Sequence, residues 1–360
     1  MNSFDNKELE ITGYYNMPGC FGKPPVPVPR HNYPITPKEN LLRVFRGEKP
    51  MWIPNTDLDV NYIQPYIMPD SYAQAFGGTD WFGIEWVYEP VARGAMVKPG
   101  TRVLSDITNW REEVRFPDLS AIDWNADYEA LYKGHIAEDR LSVFCIVNGL
   151  FERTADMMGF EETVDALLTK PEELTAFYDR LVEWHIELLH IAREVYHADM
   201  ILFHDDMGTQ ISTFFSPDIY KKLFVPQYQK ITKAAHDMGM LMSLHSCGCI
   251  SMIIPLIIEA GFDGWEGQDS ANDKKTLMDA YGDQLVQYSL FYIPQSFADK
   301  EAVEYLQKQC REIGGKGRYT CRIIDPAAAS RSVSLSDELY RYSRMMYAGM
   351  ENGLPLSRTD

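Results

Sequence analysis

The sequence predicts an α/β protein whose core is a closed (β/α)8 TIM barrel. Eight short apolar runs recur along the chain, and helical stretches separate most of them. Strands that alternate with helices are typical of a parallel sheet covered by helices. A doubly wound open sheet is the alternative, but no glycine-rich phosphate loop follows any of the runs. The eight predicted strands are 51–57, 80–88, 141–149, 198–206, 240–248, 261–268, 284–292 and 317–325.

The elements before and between these strands predict an arm followed by one domain. Residues 1–36 are rich in proline and carry no periodic apolar pattern, so we expect an extended N-terminal arm that lies over the body. Thr36, Pro37 and Glu39 form a capping-box arrangement at the start of the first helix. Residues 37–360 are then expected to form a single barrel domain.

Composition and charge exclude several classes of function. The chain has 360 residues, of which 45% are hydrophobic, and a net charge of −18, which disfavours nucleic acid or an anionic membrane as a partner. No apolar run approaches the ~20 residues of a membrane span. The N-terminus lacks the features of a secretion signal, and the six cysteines are scattered. We therefore expect a cytoplasmic protein with reduced thiols.

Polar residues stand where the predicted strands end. In a TIM barrel the active site lies at the carboxyl ends of the strands, so these side chains should converge on one cavity. We expect catalytic residues at Glu266, His204, Asp205 and Asp206. The residues expected to contact substrate are Asn55, Asp57, Trp86, Asn148, Phe151, Trp265, Gln268 and Tyr292.

Four of the strand-end residues have the chemistry of a zinc site. His245 and Cys247 are two positions apart at one strand end, Glu266 is at the next strand end, and Cys321 is on the last strand. Zinc accepts imidazole, thiolate and carboxylate ligands together. Ordinary buried packing is the alternative interpretation of the His-x-Cys pair, which the pair alone does not exclude.

The predicted rim of the barrel also indicates the kind of ligand. It combines aromatic side chains with few basic ones, and Arg153 and Arg322 are the only basic candidates nearby. Such a pocket favours a flat, weakly charged ligand. Packing of the same aromatic residues in the barrel core is the alternative. The aromatic candidates are Trp81, Trp86, Phe151, Trp265 and Tyr292.

Several stretches carry a family resemblance. "TPKENLLRVFRGEKP" followed by "WIP", "LHSCG" at the fifth strand, "EAGFDGWEGQ" at the sixth and a cysteine at the eighth resemble the uroporphyrinogen decarboxylase superfamily. More narrowly, they look like its zinc-dependent, corrinoid-linked methyltransferase branch. The resemblance covers roughly residues 36–350, and the order of the four zinc candidates is similar to that in cobalamin-independent methionine synthase.

This resemblance implies a methyl transfer between a small methylated substrate and a corrinoid (cobalamin) carried by a partner protein. Zinc would be held by His245, Cys247, Glu266 and Cys321, and a methoxylated aromatic is the favoured substrate. A methylcobalamin:thiol methyltransferase and a catalytically silent ligand-binding member are alternatives. The oligomeric state stays open.

A decarboxylase of the uroporphyrinogen type is a further alternative, and the residues disfavour it. The decarboxylase has an arginine-rich loop after its first strand, whereas "IPNTDLDVNYIQPY" contains no arginine. An acidic rim would repel a substrate that carries many carboxylates. The residues expected on that rim are Asp57, Asp59, Asp205 and Asp206.

Overall fold

The computed structural model describes residues 4–19, 24–91, 94–351 and 354–355. Its N-terminal part forms a hairpin of two antiparallel strands, β1 (Ile11–Met17) and β2 (Val26–His31). Glu8, just before the hairpin, accepts a hydrogen bond from Tyr340 (2.7 Å) and pairs with Arg344 (3.0 Å). These buried contacts hold the arm against the last helix. The division into an arm and one barrel domain stays a prediction.

The first helix, α1 (Pro37–Arg46), begins where the sequence predicts. The Thr36 hydroxyl accepts the backbone N–H of Glu39 at 3.1 Å, and Gly47 ends the helix with φ 71°. Glu39 does not complete the expected capping box, because its carboxylate pairs with Arg43 at 3.1 Å. Leu41 and Val44 of α1 pack into the apolar floor of the barrel.

The segment after α1 joins the two ends of the barrel sheet. A short helix, α2 (Thr56–Asp59), leads directly into strand β3 (Val60–Ile63). Just before α2, Asn55 forms an isolated parallel bridge with Cys321 on the last strand. The expected first strand, 51–57, is thus reduced to a single bridge, because α2 starts at Thr56.

The expected second strand, 80–88, lies outside the barrel. Its residues contribute to a three-stranded antiparallel sheet on which helix α3 (Pro69–Phe76) packs, while β3 takes its place in the barrel. On strand β5 (Glu85–Glu89), Trp86 is buried and the other residues are not, as expected for a sheet with one solvated face. The elements of this region are α3 (Pro69–Phe76), β4 (Gly78–Thr79), β5 (Glu85–Glu89), β6 (Gly94–Val97), α4 (Trp110–Glu113) and α5 (Trp124–Leu131).

From residue 141 onward, parallel strands alternate with helices. The remaining barrel strands are β7 (Leu141–Ile146), β8 (Met200–His204), β9 (Leu241–His245), β10 (Gly264–Gln268), β11 (Val286–Tyr292) and β12 (Tyr319–Ile324). The helices are α6 (Leu150–Met158), α7 (Phe160–Thr169), α8 (Pro171–Glu194), α9 (Pro217–Ile219), α10 (Val225–Asp237), α11 (Ile254–Glu259), α12 (Lys274–Tyr281), α13 (Asp299–Glu312) and α14 (Leu335–Ala348). Two short strands follow, β13 (Met350–Glu351) and β14 (Leu354–Pro355).

The barrel sheet has seven parallel strands in the order β12-β11-β10-β9-β8-β7-β3, and the Asn55–Cys321 bridge joins its ends. The predicted TIM-barrel fold class is thereby confirmed. Apolar side chains including Leu141, Val143 and Val286 fill the amino-terminal half of the interior, above α1. The carboxyl half is left for a cavity. Among the described residues, no helix is long and apolar enough to cross a membrane.

Candidate active site

A cavity of about 680 Å³ occupies the carboxyl half of the barrel. Its polar side chains come from the strands, and its apolar wall comes partly from the N-terminal hairpin. The hairpin residues that line it are Met17, Pro18, Val26 and Val28. The arm therefore contributes directly to the site, a role that no pattern in the sequence indicated.

Four inward-facing side chains form a row at one level of the barrel wall. His204, His245, Glu266 and Tyr288 lie on β8, β9, β10 and β11, and each is the register partner of the next. All four line the cavity. Because neighbouring strands are about 4.8 Å apart, side chains at one register level come into contact.

His245 of this row forms a candidate metal site with Cys247 and Asp206, which follow the ends of β9 and β8. Their ligand atoms all lie within 4.8 Å of one another. His245 Nε2 is 3.4 Å from Cys247 Sγ and 3.8 Å from Asp206 Oδ1. Tetrahedral zinc with ordinary bond lengths would separate nitrogen and sulfur ligands by about 3.6 Å. The donor types and their spacing therefore fit zinc.

Glu266 contacts the far side of the His245 ring. Its Oε1 is 2.9 Å from His245 Nδ1, and only 6% of its side chain is exposed. An ionised carboxylate only accepts hydrogen bonds, so Nδ1 donates to Glu266 and Nε2 is the ring nitrogen that faces Cys247. This is the arrangement by which a carboxylate orients a metal-binding histidine. The sequence analysis expected Glu266 among the metal ligands. In the structure it contacts the side of the His245 ring that faces away from Cys247.

His204 stacks on His245, with ring centroids 4.1 Å apart and planes inclined by 18°. Its Nε2 lies 3.4 Å from the thiol of Cys145. Burial, and then the charge of His245, hold the pKa of His204 well below its usual value. A neutral imidazole therefore lines the cavity at this position.

Cys321 lies apart from these groups, contrary to the expectation that it binds zinc. Side chains alternate along β12, and those of Arg322 and Ile324 face the cavity. Cys321 points outward and packs in an apolar cluster with Ile53 and Cys310. The structure instead supplies Asp206 as the third ligand group.

Asp205 also differs from its expected place in the cavity. It is fully buried, and its carboxylate accepts the backbone N–H groups of Leu150, Phe151 and Glu152 at 2.6–3.1 Å. Tyr228 donates a further hydrogen bond at 2.5 Å. Asp205 therefore caps the N-terminus of α6. Asp206, the next residue, accepts the backbone N–H of Cys247 at 2.7 Å and stays at the site.

The residues at the start of the barrel divide between structure and cavity. The Asn55 side chain caps α2 by accepting the N–H of Asp57 and donates to Ser336 at 3.1 Å. Asp59 is buried, so it does not contribute to an acidic rim. Asp57 does line the cavity, where it pairs with Arg322 at 2.7 Å.

Most of the aromatic side chains expected to line the cavity are instead packed in the apolar core. Trp86, Phe151 and Trp265 are buried in the main apolar cluster outside the barrel wall. The Trp265 side chain points outward because side chains alternate along a strand and its neighbour Glu266 faces inward. Tyr292, at the end of β11, is 58% exposed and does not line the cavity.

Two further predicted contacts lie near the carboxyl ends of strands, Asn148 in the loop after β7 and Gln268 as the last residue of β10. Asn148 has a left-handed backbone (φ 60°), is buried, and accepts a hydrogen bond from Gln74. Gln268 accepts hydrogen bonds from Gln210 (2.9 Å) and from the backbone of Gly248 (3.3 Å). Neither lines the cavity.

The cavity contains polar groups that the sequence did not single out. Tyr62 lies beside Cys145, and the hydroxyl groups of Tyr288 and Thr56 are hydrogen-bonded to each other. Tyr288 is on the same face of β11 as Leu290 and Tyr292, so strand alternation could have predicted that it faces inward. No pattern in the sequence placed Thr56 or Tyr62 in the cavity, because α2 and β3 were not predicted.

The fold and site define an α/β-barrel protein with a candidate metal centre at the carboxyl ends of its strands. Residues 80–314 match the uroporphyrinogen decarboxylase (URO-D) family, and the chain belongs to this family.

One solved structure agrees with the barrel. A methyltransferase from Methanosarcina mazei is 15% identical, with a TM-score of 0.59 over 86% of this chain and 98% of that chain. At this identity the likeness concerns the fold alone. A 3-keto-D-glucoside 4-epimerase from E. coli is 17% identical, with a TM-score of 0.35 over 64% of this chain and 84% of that chain, which is too low to support the fold assignment. No curated protein matches the chain at a significant level.

Proposed function

We propose that this protein is a zinc-dependent methyltransferase of a corrinoid system, which moves a methyl group from a small methylated substrate to a corrinoid on a partner protein. The observation that carries the proposal is the group of His245, Cys247 and Asp206, of which His245 lines the cavity. The URO-D fold and the methyltransferase with a similar fold also support it. A methoxylated aromatic is the favoured substrate class.

The chain's own residues would hold and orient the reacting groups. Zinc, when bound, supplies a Lewis acid that stabilises negative charge on the heteroatom losing its methyl group. His245, Cys247 and Asp206 would hold the metal, and Glu266 would keep the His245 ring in the binding orientation. His204, whose pKa is held well below its usual value, adds no positive charge to the same wall.

The cavity supports a small substrate. At about 680 Å³ it has room for one aromatic ring with substituents, and Tyr62 and Tyr288 supply aromatic wall in place of the buried tryptophans. The corrinoid would come from a separate protein, because the sequence contains no Asp-x-His-x-x-Gly motif. Its cobalt has to approach the methyl group through the open carboxyl end.

Decarboxylation of a porphyrinogen is less well supported, although the family carries that name. A substrate with many carboxylates needs several cationic side chains. Among the described residues that line the cavity, Arg322 is the one arginine or lysine, and Asp57 already pairs with it. The grouping of His245, Cys247 and Asp206 at ligand distances would also serve no metal in such a reaction.

A methyl-transfer assay tests the proposal. Zinc-loaded protein is mixed with a reduced corrinoid protein and a panel of aryl methyl ethers, methanol, methylamine and methanethiol, and the cobalt absorbance is followed. We expect methylation of the cobalt with an aryl methyl ether and none without corrinoid. Protein that binds no zinc, or that transfers methyl groups without corrinoid, would contradict the proposal.

A further inference from the structure

Arg322 is a cationic side chain in a cavity whose other acidic or basic side chains, among the described residues, are carboxylates and histidines. It is the one arginine or lysine among the described residues that line it, in a protein whose net charge is −18. The side chain is about half exposed, so its charge is accessible from the cavity. A cation kept inside the binding cavity of so acidic a protein is a natural site for an anionic group of the ligand.

The contacts of Arg322 leave part of its guanidinium free. Its Nε donates to Asp57 Oδ1 at 2.7 Å, which holds the group in place from one edge. Within the described part of the chain, Nε makes the recorded hydrogen bond of this side chain, and neither Nη atom donates one. The planar Nη1–Nη2 edge is the edge that binds a carboxylate through two parallel hydrogen bonds.

The position of Arg322 relative to the candidate metal site sets the shape of the ligand. His245 is on β9 and Arg322 on β12, three strand spacings of about 4.8 Å along the curved wall. Arg322 also lies two residues beyond Thr320, the register partner of Tyr288, and thus nearer the cavity mouth. Between the two lie Glu266 and Tyr288, which line the same wall.

We propose that Arg322 binds a single carboxylate of the substrate, so that the methyl donor is a methoxylated aromatic acid whose methoxy group lies toward His245 and Cys247. This rests on the proposed function for the methoxy group and on the Arg322–Asp57 geometry for the carboxylate. Asp57 neutralises one edge of the arginine and limits the site to one anionic group. Neutral methyl donors such as methanol would lack this contact.

The test is binding of two probes of one shape, 4-methoxybenzoate and the neutral 4-methoxybenzamide, measured by titration calorimetry on zinc-loaded protein. We expect the wild-type protein to bind the acid at least about 10-fold more tightly than the amide. In Arg322→Gln the acid should lose about 10- to 100-fold in affinity, while the amide changes by less than about 3-fold. Arg322→Lys should retain part of the preference.

Asp57→Asn is the matched variant, because it breaks the same ion pair without removing the cation. We expect it to keep or increase the preference for the acid. Equal binding of the two probes by the wild type, failure to bind the acid, or loss of the preference in both variants would overturn the proposal. Zinc content and methyl transfer from neutral anisole, measured on the same preparations, report on the proposed function separately.

Discussion

At the scale of single residues, the contacts of His245 decide which side chains can act together. Glu266 binds Nδ1, so Nε2 points to Cys247 and Asp206. The candidate metal site therefore needs no rotation of the histidine ring to present Nε2 to a metal. Cys321 lies three strands away on β12, and its side chain packs on the outer face of the barrel wall.

The two cysteines give the first prediction. We expect Cys247→Ala to lose most of its zinc, because one of three candidate ligands is removed. Cys321→Ala, the matched control, should retain one zinc per chain, since its thiol packs among apolar side chains. Elemental analysis of both purified variants measures this. Zinc loss from Cys321→Ala but not from Cys247→Ala would show that the assignment is wrong.

Glu266 gives the second prediction, which separates an orienting residue from a ligand. We expect Glu266→Ala to weaken zinc binding by about 10- to 100-fold, as removal of a carboxylate behind a histidine ligand does. Glu266→Gln should weaken it less, because an amide oxygen still accepts the Nδ1 proton. Competition with a chromophoric chelator measures the affinities. If Glu266→Ala lost zinc as completely as His245→Ala, Glu266 would be a ligand itself.

At the scale of elements, Asp205 joins β8 to α6. The first N–H groups of a helix have no partner within it, and its N-terminus carries partial positive charge. Asp205 satisfies three of these N–H groups from the neighbouring strand end, which is possible because Gly149 leaves room for its carboxylate. The cap fixes α6 at the rim of the barrel.

The neighbours Asp205 and Asp206 give the third prediction. Asp205→Ala should lower the free energy of unfolding by roughly 2–4 kcal/mol, because buried donors lose their charged acceptor. Asp206→Ala should change stability by less than about 1 kcal/mol but weaken zinc binding. Urea denaturation and zinc titration of both variants measure the two effects. Equal effects of the two substitutions on stability would contradict this division of roles.

At the scale of the whole molecule, several carboxylates are buried. Burial raises the pKa of Asp59 to about 6 although Trp52 and the Asn55 backbone donate to it. Burial likewise raises the pKa of Asp205 to about 6, and that of Glu152 well above its usual value. Between their unfolded and folded pKa values, the native protein holds protons that the unfolded chain releases.

This gives the fourth prediction, on pH. Because the folded pKa of Asp59 is raised to about 6, the stability that its carboxyl group contributes should fall as pH rises from about 4 to about 7, by roughly 1–3 kcal/mol. The lowered pKa of His204 acts in the opposite direction over the same range, so the wild type is compared with Asp59→Asn. Urea midpoints of both proteins, measured with a chelator present so that metal release does not contribute, test this. The wild type should lose stability relative to Asp59→Asn as pH rises, and a difference that stays constant or grows in favour of the wild type would contradict the expectation.

The sequence alone determined the class of fold and the position of the chemistry. Apolar runs that alternate with helices predict a barrel, and a His-x-Cys at one strand end with a glutamate at the next places the candidate metal site. These are local signals, because strand periodicity and chain order bring such residues to one level of a parallel sheet. His245, Cys247 and Glu266 therefore lie together as predicted.

The tertiary structure decided which face of each strand meets the cavity. Strands of a barrel are buried on both faces, so the sequence pattern does not distinguish an inward Arg322 from an outward Cys321, or an inward Glu266 from an outward Trp265. The same holds for contacts between distant segments. The cap of Asp205 on α6, the closure through Asn55 and the hairpin wall depend on how the sheet curls, and no run of neighbouring residues encodes that.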